Sequence, residues 1–359
     1  MNKRSALTKA SRIVIKLGTG ILTNTDKSPH LPRMTHLIRQ ICELRERGKE
    51  IILVSSGAVG AGRGVLGFDK KPKSLADLQA CAAIGQLRLM STYENLFSIY
   101  NQNIAQILLT HDDLENHDRY LNARSSLLSL LKHRIIPIIN ENDVVSVEEL
   151  KFGDNDRLSA LVAALLPADL LILLTTVDGL MENFGTPEQK IIHTVEQIDS
   201  QISQLANGTH SDTAVGGMKT KILAAEIAVH SGIPMLIANG THKEILCDLL
   251  AGKEIGTLFR PDKNYLPARK RRIAFFHHPR GSIIVDSGAC KALRSGGASL
   301  LFPGILSIQG NFEEGDVVSV CDADEREFAR GIIKISSQDL HSHTIPEDDV
   351  IHCNDLVIL

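Results

Sequence analysis

Six short apolar runs recur through the first 260 residues, each closed at once by small or polar residues, and longer amphipathic stretches lie between them. The runs are Arg12–Lys16, Glu50–Val54, Ile104–Leu109, Ile135–Ile139, Leu170–Thr175 and Pro234–Ala238. The stretches are Arg33–Glu46, Leu75–Tyr100, Tyr120–Lys132, Arg157–Leu165, Lys219–His230 and Lys243–Ala251. Runs this short read as buried strands and the longer stretches as helices. Alternating the two builds βαβ units, because parallel neighbours need a crossover that a helix supplies. The predicted fold is therefore α/β, an open and mainly parallel sheet with helices on both faces. All strand C-terminal ends then meet at one edge, where such folds bind ligands. The most apolar stretch, Leu158–Val177, is split by Pro167 and Asp169, so it reads as a buried helix and strand rather than a membrane span.

At Asp262–Arg272 the pattern breaks into a polar, basic linker, DKNYLPARKRR. Beyond Ile273, short alternating runs such as Ser282–Val285, Val317–Val320 and Gly331–Ile335 predict a small β-rich domain. The expected division is 1–262 and 273–359, and a chain of 359 residues is long enough for two such cores. A net charge of −3 excludes a global basic field that would hold the protein on nucleic acid or anionic lipid. The six cysteines stand singly, without metal-ligand spacing, and read as reduced core thiols. Met1–Arg12 is basic but lacks the apolar core of a signal peptide, so the expected location is the cytoplasm.

The chemistry-bearing residues gather at the strand ends. Lys16 ends the first run beside Gly18, Thr19 and Gly20, where backbone amides and an ammonium suit phosphate oxygens. The second run ends in VSSGAVGAGRG, in which Gly57, Gly60, Gly62 and Gly64 permit close backbone approach. Gly62, Gly64 and Gly67 also match GxGxxG, but they lie well past the strand and lack the acidic partner of a dinucleotide fold. After the fourth run come Asn140, Glu141, Asn142 and Asp143, then Asp154, Asn155 and Asp156 at a helix start. One of the last three suffices to cap that helix. The remaining acidic and amide groups suit a ligand ammonium, a metal, or the orientation of nearby lysines. Thr175 and Thr176 end the fifth run, and Gly216 and Gly217 precede a helix whose first turn holds Lys219, Thr220 and Lys221. That is an anion site or a plain turn. The Walker, protein-kinase, nucleophile-elbow and HExxH motifs are all absent.

Taken in order, VIKLGTG, VSSGAVGAG, PIINENDVV, FGDNDRLSALVA, LLTTVDGL and VGGMKTK resemble the amino acid kinase family over roughly Ser11–Arg260. The match is to its branch that phosphorylates the side-chain carboxylate of glutamate for proline synthesis. From about Arg272, GSIIVDSGACKAL and LLFPGILSIQGNFEEGDVVSV resemble a PUA domain, a small β barrel. The resemblance implies that Lys16 and Lys221 contact the transferring phosphate and that Asp156 holds them. It places L-glutamate on Ser56, Asp143 and Asn155 with Asp154 nearby. ATP is implied at Lys16, Gly18, Thr175, Thr176 and along Val215, Gly216, Gly217, Met218, Lys219, Thr220 and Lys221. Thr176 stands where the family commonly has Asp, and Val215 where it has Thr. Mg²⁺ is expected to ride on the nucleotide, with no protein metal cage. The family also implies a homo-oligomer and feedback inhibition by proline, through the loop Glu141–Gly153. Relatives acting on acetylglutamate, aspartate or UMP are the alternatives. RNA binding by the PUA-like part has only the basic run Arg269–Arg272 behind it, with few aromatics for base stacking.

Overall fold

The computed structural model describes residues 4–24, 28–146, 155–207, 217–262, 265–342 and 349–359, which form two compact units, Met1–Tyr265 and Leu266–Leu359. The first unit runs β1 (Arg12–Leu17), α1 (Thr19–Leu22), α2 (Leu31–Glu46), β2 (Glu50–Ser55), α3 (Ala58–Arg63), α4 (Leu75–Ser98) and β3 (Ile104–Leu109). It continues with α5 (His111–Glu115), α6 (His117–Lys132), β4 (Ile136–Glu141), α7 (Asp156–Leu165) and β5 (Leu170–Thr175). Short strands β6 (Met181–Glu182), β7 (Lys190–Ile191) and β8 (Thr194–Val195) follow, then α8 (Ser200–Asn207), α9 (Met218–His230), β9 (Met235–Asn239), α10 (Ile245–Leu250) and β10 (Thr257–Phe259). All six predicted strands and all six predicted helices are present, with ends shifted by a few residues. The split of the most apolar stretch falls as expected, between α7 and β5. Among the described residues no helix is long and apolar enough to cross a membrane.

The sheet order is β3-β4-β2-β1-β5-β9-β10-β8, parallel throughout except where β10 meets β9. The central strands are buried on both faces, which explains why they read as unbroken apolar runs rather than alternating ones. Ile13, Ile15 and Leu17 join Ile51, Leu53, Ile172 and Leu174 in a core with α2, α4 and α10. Alternation puts Val14 and Lys16 on the opposite face, where α7 packs against β1, β5 and α9. A core-facing strand register thus turns the Lys16 side chain under α7.

In helix α3 the close backbone approach at Gly62 is made to α4. Gly57 has φ +102° at its start, but a β-carbon on Gly62 would stand 1.9 Å from Cys81 O and one on Gly85 only 1.7 Å from Ala58 O. Two glycines therefore let α3 and α4 touch backbone to backbone. Gly85→Ala is expected to destabilise the unit by about 3 kcal/mol or more, because both clashing atoms are main chain and neither can swing away. Chemical denaturation measures this, and a loss under about 1 kcal/mol contradicts the packing argument.

Arg4 closes the unit from the other end of the chain. Its guanidinium donates to the carbonyls of His193 (2.7 Å), Lys253 (3.1 Å), Gly256 (3.0 Å) and Ile255.

The second unit contains α11 (Ala268–Arg271), one π turn (Arg272–Phe276), β11 (Gly281–Val285), α12 (Ser287–Arg294), β12 (Ile305–Gly310), β13 (Val317–Cys321), β14 (Glu327–Ile332), α13 (Ser337–Ser342) and β15 (Leu356–Ile358). Its strands form one mixed sheet, β12-β11-β13-β14-β15, over a core that includes Ile283, Val285, Val318, Val320 and Phe328. Of the residues read from sequence as a linker, Ala268–Arg272 are helical. Within that run Arg269 pairs with Asp355 and Lys270 donates to Cys353 O, so these basic groups serve the unit's own packing. All six cysteines are free thiols; Cys42, Cys81 and Cys321 are buried, whereas Cys247, Cys290 and Cys353 are only half-buried, which corrects the reading of all six as core residues.

Candidate active site

Parallel order brings the ends of β1, β2, β4 and β5 to one sheet edge, and the first turns of α7 and α9 meet them there. Asp156, the first residue of α7, is fully buried and bridges two lysines. Lys16 Nζ lies 2.6 Å from Asp156 Oδ1 and Lys221 Nζ 2.9 Å from Asp156 Oδ2. Thr220 Oγ1 donates to the same Oδ2 at 3.0 Å and to Gly217 O at 2.9 Å. Lys16 is 4% exposed and Lys221 7%, so the group sits where water screens charge poorly. Two ammoniums share one carboxylate here, at the start of a helix whose amides add positive potential.

Gly18 is the floor beside it. Its amide donates to Leu174 O, and a β-carbon there would sit 3.2 Å from that oxygen and 3.8 Å from Lys16 Nζ. A side chain at this position would crowd Leu174 O and the Lys16 ammonium. Thr175 is half-buried and Thr176 exposed, its methyl facing Gly20 closely enough that a β-carbon there would meet it at 2.8 Å. Lys219 is exposed and outside the charged group. Asp154, Val215 and Gly216 lie outside the described residues.

A second polar cluster adjoins it. Asn155 holds the N-cap position of α7, yet its side chain makes no capping bond. Instead Nδ2 reaches Ser55 O (2.6 Å), Asn140 Oδ1 (2.7 Å) and Ser56 Oγ (3.1 Å), while Oδ1 is buried with no hydrogen-bond partner. Ordinary capping is thus rejected in favour of tying α7 to the end of β2. Asp143 is also buried, with Oδ1 unpartnered. Burial pushes its carboxyl up to about 6, with Lys71 pulling weakly the other way. The structure joins Ser56 to Asn155, and Asp143 to neither by a hydrogen bond.

A model of the amino acid kinase family matches residues 11–239. The chain belongs to the amino acid kinase family. A PUA domain model matches residues 281–344 of this amino acid kinase. It is 45% identical over 368 residues to a glutamate 5-kinase of Geobacter sulfurreducens, covering 98% of this chain and 99% of that protein. A glutamate 5-kinase of Caldanaerobacter subterraneus is 45% identical over 363 residues, covering 97% and 98%. One from Desulfotalea psychrophila is 44% identical over 373 residues, covering 99% of each. Among solved structures, a UMP kinase from Bacillus anthracis superposes with TM-score 0.50 at 16% identity, over 70% of this chain and 97% of its own. A carbamate kinase from Giardia lamblia does so with TM-score 0.50 at 20% identity, over 71% and 100%. The structural likeness carries the fold of the amino acid kinase unit.

Sequence reading missed the polar residues of α4. Gln86 and Tyr93 are buried; Tyr93 OH lies 2.9 Å from Ser55 Oγ, and Gln86 accepts from Asn140. The signal was present, since Gln86 falls on the same helical stripe as Ala82, Leu89 and Tyr93 and is polar at a core-facing position.

Proposed function

We propose that this amino acid kinase transfers the γ-phosphoryl group of ATP to the side-chain carboxylate of L-glutamate, giving L-glutamyl 5-phosphate and ADP for proline synthesis. The buried Lys16–Asp156–Lys221 group carries the reading, because two ammoniums held in place by one carboxylate are what phosphoryl transfer requires. The transition state is loose, with negative charge spread over equatorial oxygens, so positioning and fixed positive charge do most of the work. A glutamate carboxylate, with pKa near ~4.3, is ionised at neutral pH and needs no general base. Its oxygen forms the new bond to the γ-phosphorus as the bond to the β–γ bridging oxygen breaks, and that electron pair leaves with ADP.

In this reading Lys16 and Lys221 bind the moving phosphoryl group, and Asp156 fixes both ammoniums. Gly18, Thr175, Thr176 and the stretch Gly217–Lys221 hold the nucleotide, with Val215 and Gly216 assigned on resemblance. Ser56, Asn155 and Asp143 take glutamate, as does Asp154; the unpartnered oxygens of Asn155 and Asp143 suit its ammonium. Among the described residues no group of three or more His, Cys, Asp or Glu could hold a metal ion. Mg²⁺ would enter on the nucleotide phosphates, as this ion usually does. The same reading includes a homo-oligomer, a cytoplasmic location, and feedback by proline at the glutamate site through the loop Glu141–Gly153, of which 147–153 lie outside the described residues.

ADP release tests it, with glutamate, acetylglutamate, aspartate and UMP compared at equal concentration and hydroxylamine trapping the acyl phosphate. Preference for any acceptor other than glutamate rejects the assignment. Asp143 adds a pH signature. Its carboxyl must be ionised to hold an ammonium, and ionisation is lost as pH falls through about 6. The glutamate KM is therefore expected to rise about tenfold from pH 7 to pH 5, and the acid limb to vanish in Asp143→Asn. A KM flat across that window contradicts the role. Stability moves the opposite way: a buried carboxyl with a raised pKa favours folding as pH falls from about 6 toward its unfolded value of 3.8.

A further inference from the structure

Four side-chain amides run in single file from the surface to the glutamate-binding cluster. Gln86 Nε2 donates to Gln106 Oε1 at 2.9 Å, Asn140 Nδ2 to Gln86 Oε1 at 2.8 Å, and Asn155 Nδ2 to Asn140 Oδ1 at 2.7 Å. An amide presents its acceptor on one side and its donors on the other, so each member's direction is imposed by its neighbour. Reversing any one sets donor against donor or acceptor against acceptor. Two backbone groups fix the polarity of the file: Glu141 N donates to Asn140 Oδ1 at 3.0 Å, and Ser55 O accepts from Asn155. At the inner end the only amide oxygen left over is Asn155 Oδ1, buried and without a protein partner.

We propose that Gln86 is a positioning residue for acceptor binding, which through Asn140 holds Asn155 with its NH₂ toward Ser55 and Ser56 and its oxygen kept for the acceptor's ammonium. The inference rests on the glutamate assignment above. Gln86 receives the Asn140 NH₂ in a site too buried for water to replace it easily, since Asn140 is itself buried. The close α3–α4 crossing is what brings it there: Gly85, whose Cα meets the α3 backbone, is the residue before Gln86. The outer end is looser. Gln106 is exposed on the edge strand β3 and borders an open groove of about 360 Å³ shared with Met90 and Glu94, so its amide has room to turn.

The looseness at Gln106 supplies the discriminating variant. Gln86→Met keeps the volume and removes the acceptor; Gln86→Glu keeps the acceptor for Asn140, and Gln106 can turn to donate to it. Gln86→Met is expected to raise the glutamate KM about tenfold, with kcat and the ATP KM within about twofold of wild type. Gln86→Glu should return the glutamate KM to within about threefold of wild type. Gln106→Leu, at an exposed position tolerant of substitution, should raise it by about threefold and carries the test if Gln86→Met does not fold. An unchanged glutamate KM in the folded variants, equal impairment in Gln86→Met and Gln86→Glu, or a joint loss of kcat and both KM values overturns the proposal. Wild-type protein run alongside separates the two readings. If it turns over glutamate, the variants judge Gln86 alone; if it does not, the glutamate assignment fails and this inference with it.

Discussion

Lys221→Met is expected to lower kcat for glutamate-dependent ADP release by about 10²–10³-fold, as loss of one preorganised charge on a developing anion does elsewhere. The protein should nevertheless fold. Methionine fills the space of the lysine stem, and the remaining Lys16–Asp156 pair keeps an ammonium beside the buried carboxylate. Steady-state kinetics and thermal unfolding on one preparation check both halves. Normal turnover sinks the assignment of Lys221 to the phosphoryl group; lost turnover with a collapsed fold would mean the lysine is structural.

Asp156→Asn should do the reverse to stability. It leaves two buried ammoniums facing each other across a neutral amide, and stripping a buried charge of its partner costs about 3–5 kcal/mol. Denaturant titration reads the loss. Phosphate or sulfate should recover part of it, since an anion supplies the charge that the variant lacks; the same salts should also stabilise wild type, though less. A variant as stable as wild type would show that the carboxylate does not hold the lysines in place.

The two units were legible in different degrees. Strands β1, β2, β4 and β5 stood out because burial on both faces leaves nothing but apolar residues, and their polar C-terminal neighbours marked the site edge. Lys16 and Lys221 each had an innocent explanation alone, and what distinguished them was glycine on one side and a shared carboxylate on the other. Helix α3 was illegible because Gly60 and Gly62 lower helix propensity; the partner helix, pressed against Gly62, shows why that glycine is tolerated. Gln86 was missed for a related reason: it sits polar on a core-facing stripe of α4, but its partners come from β3 and β4, which the sequence alone does not bring beside it. Asn155 was read in part as a cap, and the N-cap position it does occupy hides the bonds its side chain makes. In the second unit, α11 was taken for a linker because its charges dominate its composition, yet two of them are spent on Asp355 and Cys353 within the same unit.

The clamp formed by Arg4 sets a timetable for synthesis. Its four carbonyl acceptors belong to residues 193, 253, 255 and 256, so this side chain waits for residues made up to about 250 positions later. At about 5–20 residues per second that wait is on the order of 10–50 s. Lys16 likewise has no complete charge group until Lys221 has been made. Until β5 is made, a nascent chain holds β1, destined for the middle of the sheet, with only one flank available. The period in which this kinase is open to chaperones and proteases is thus written into the distance between Arg4 and Gly256, before any residue of the second unit has been added.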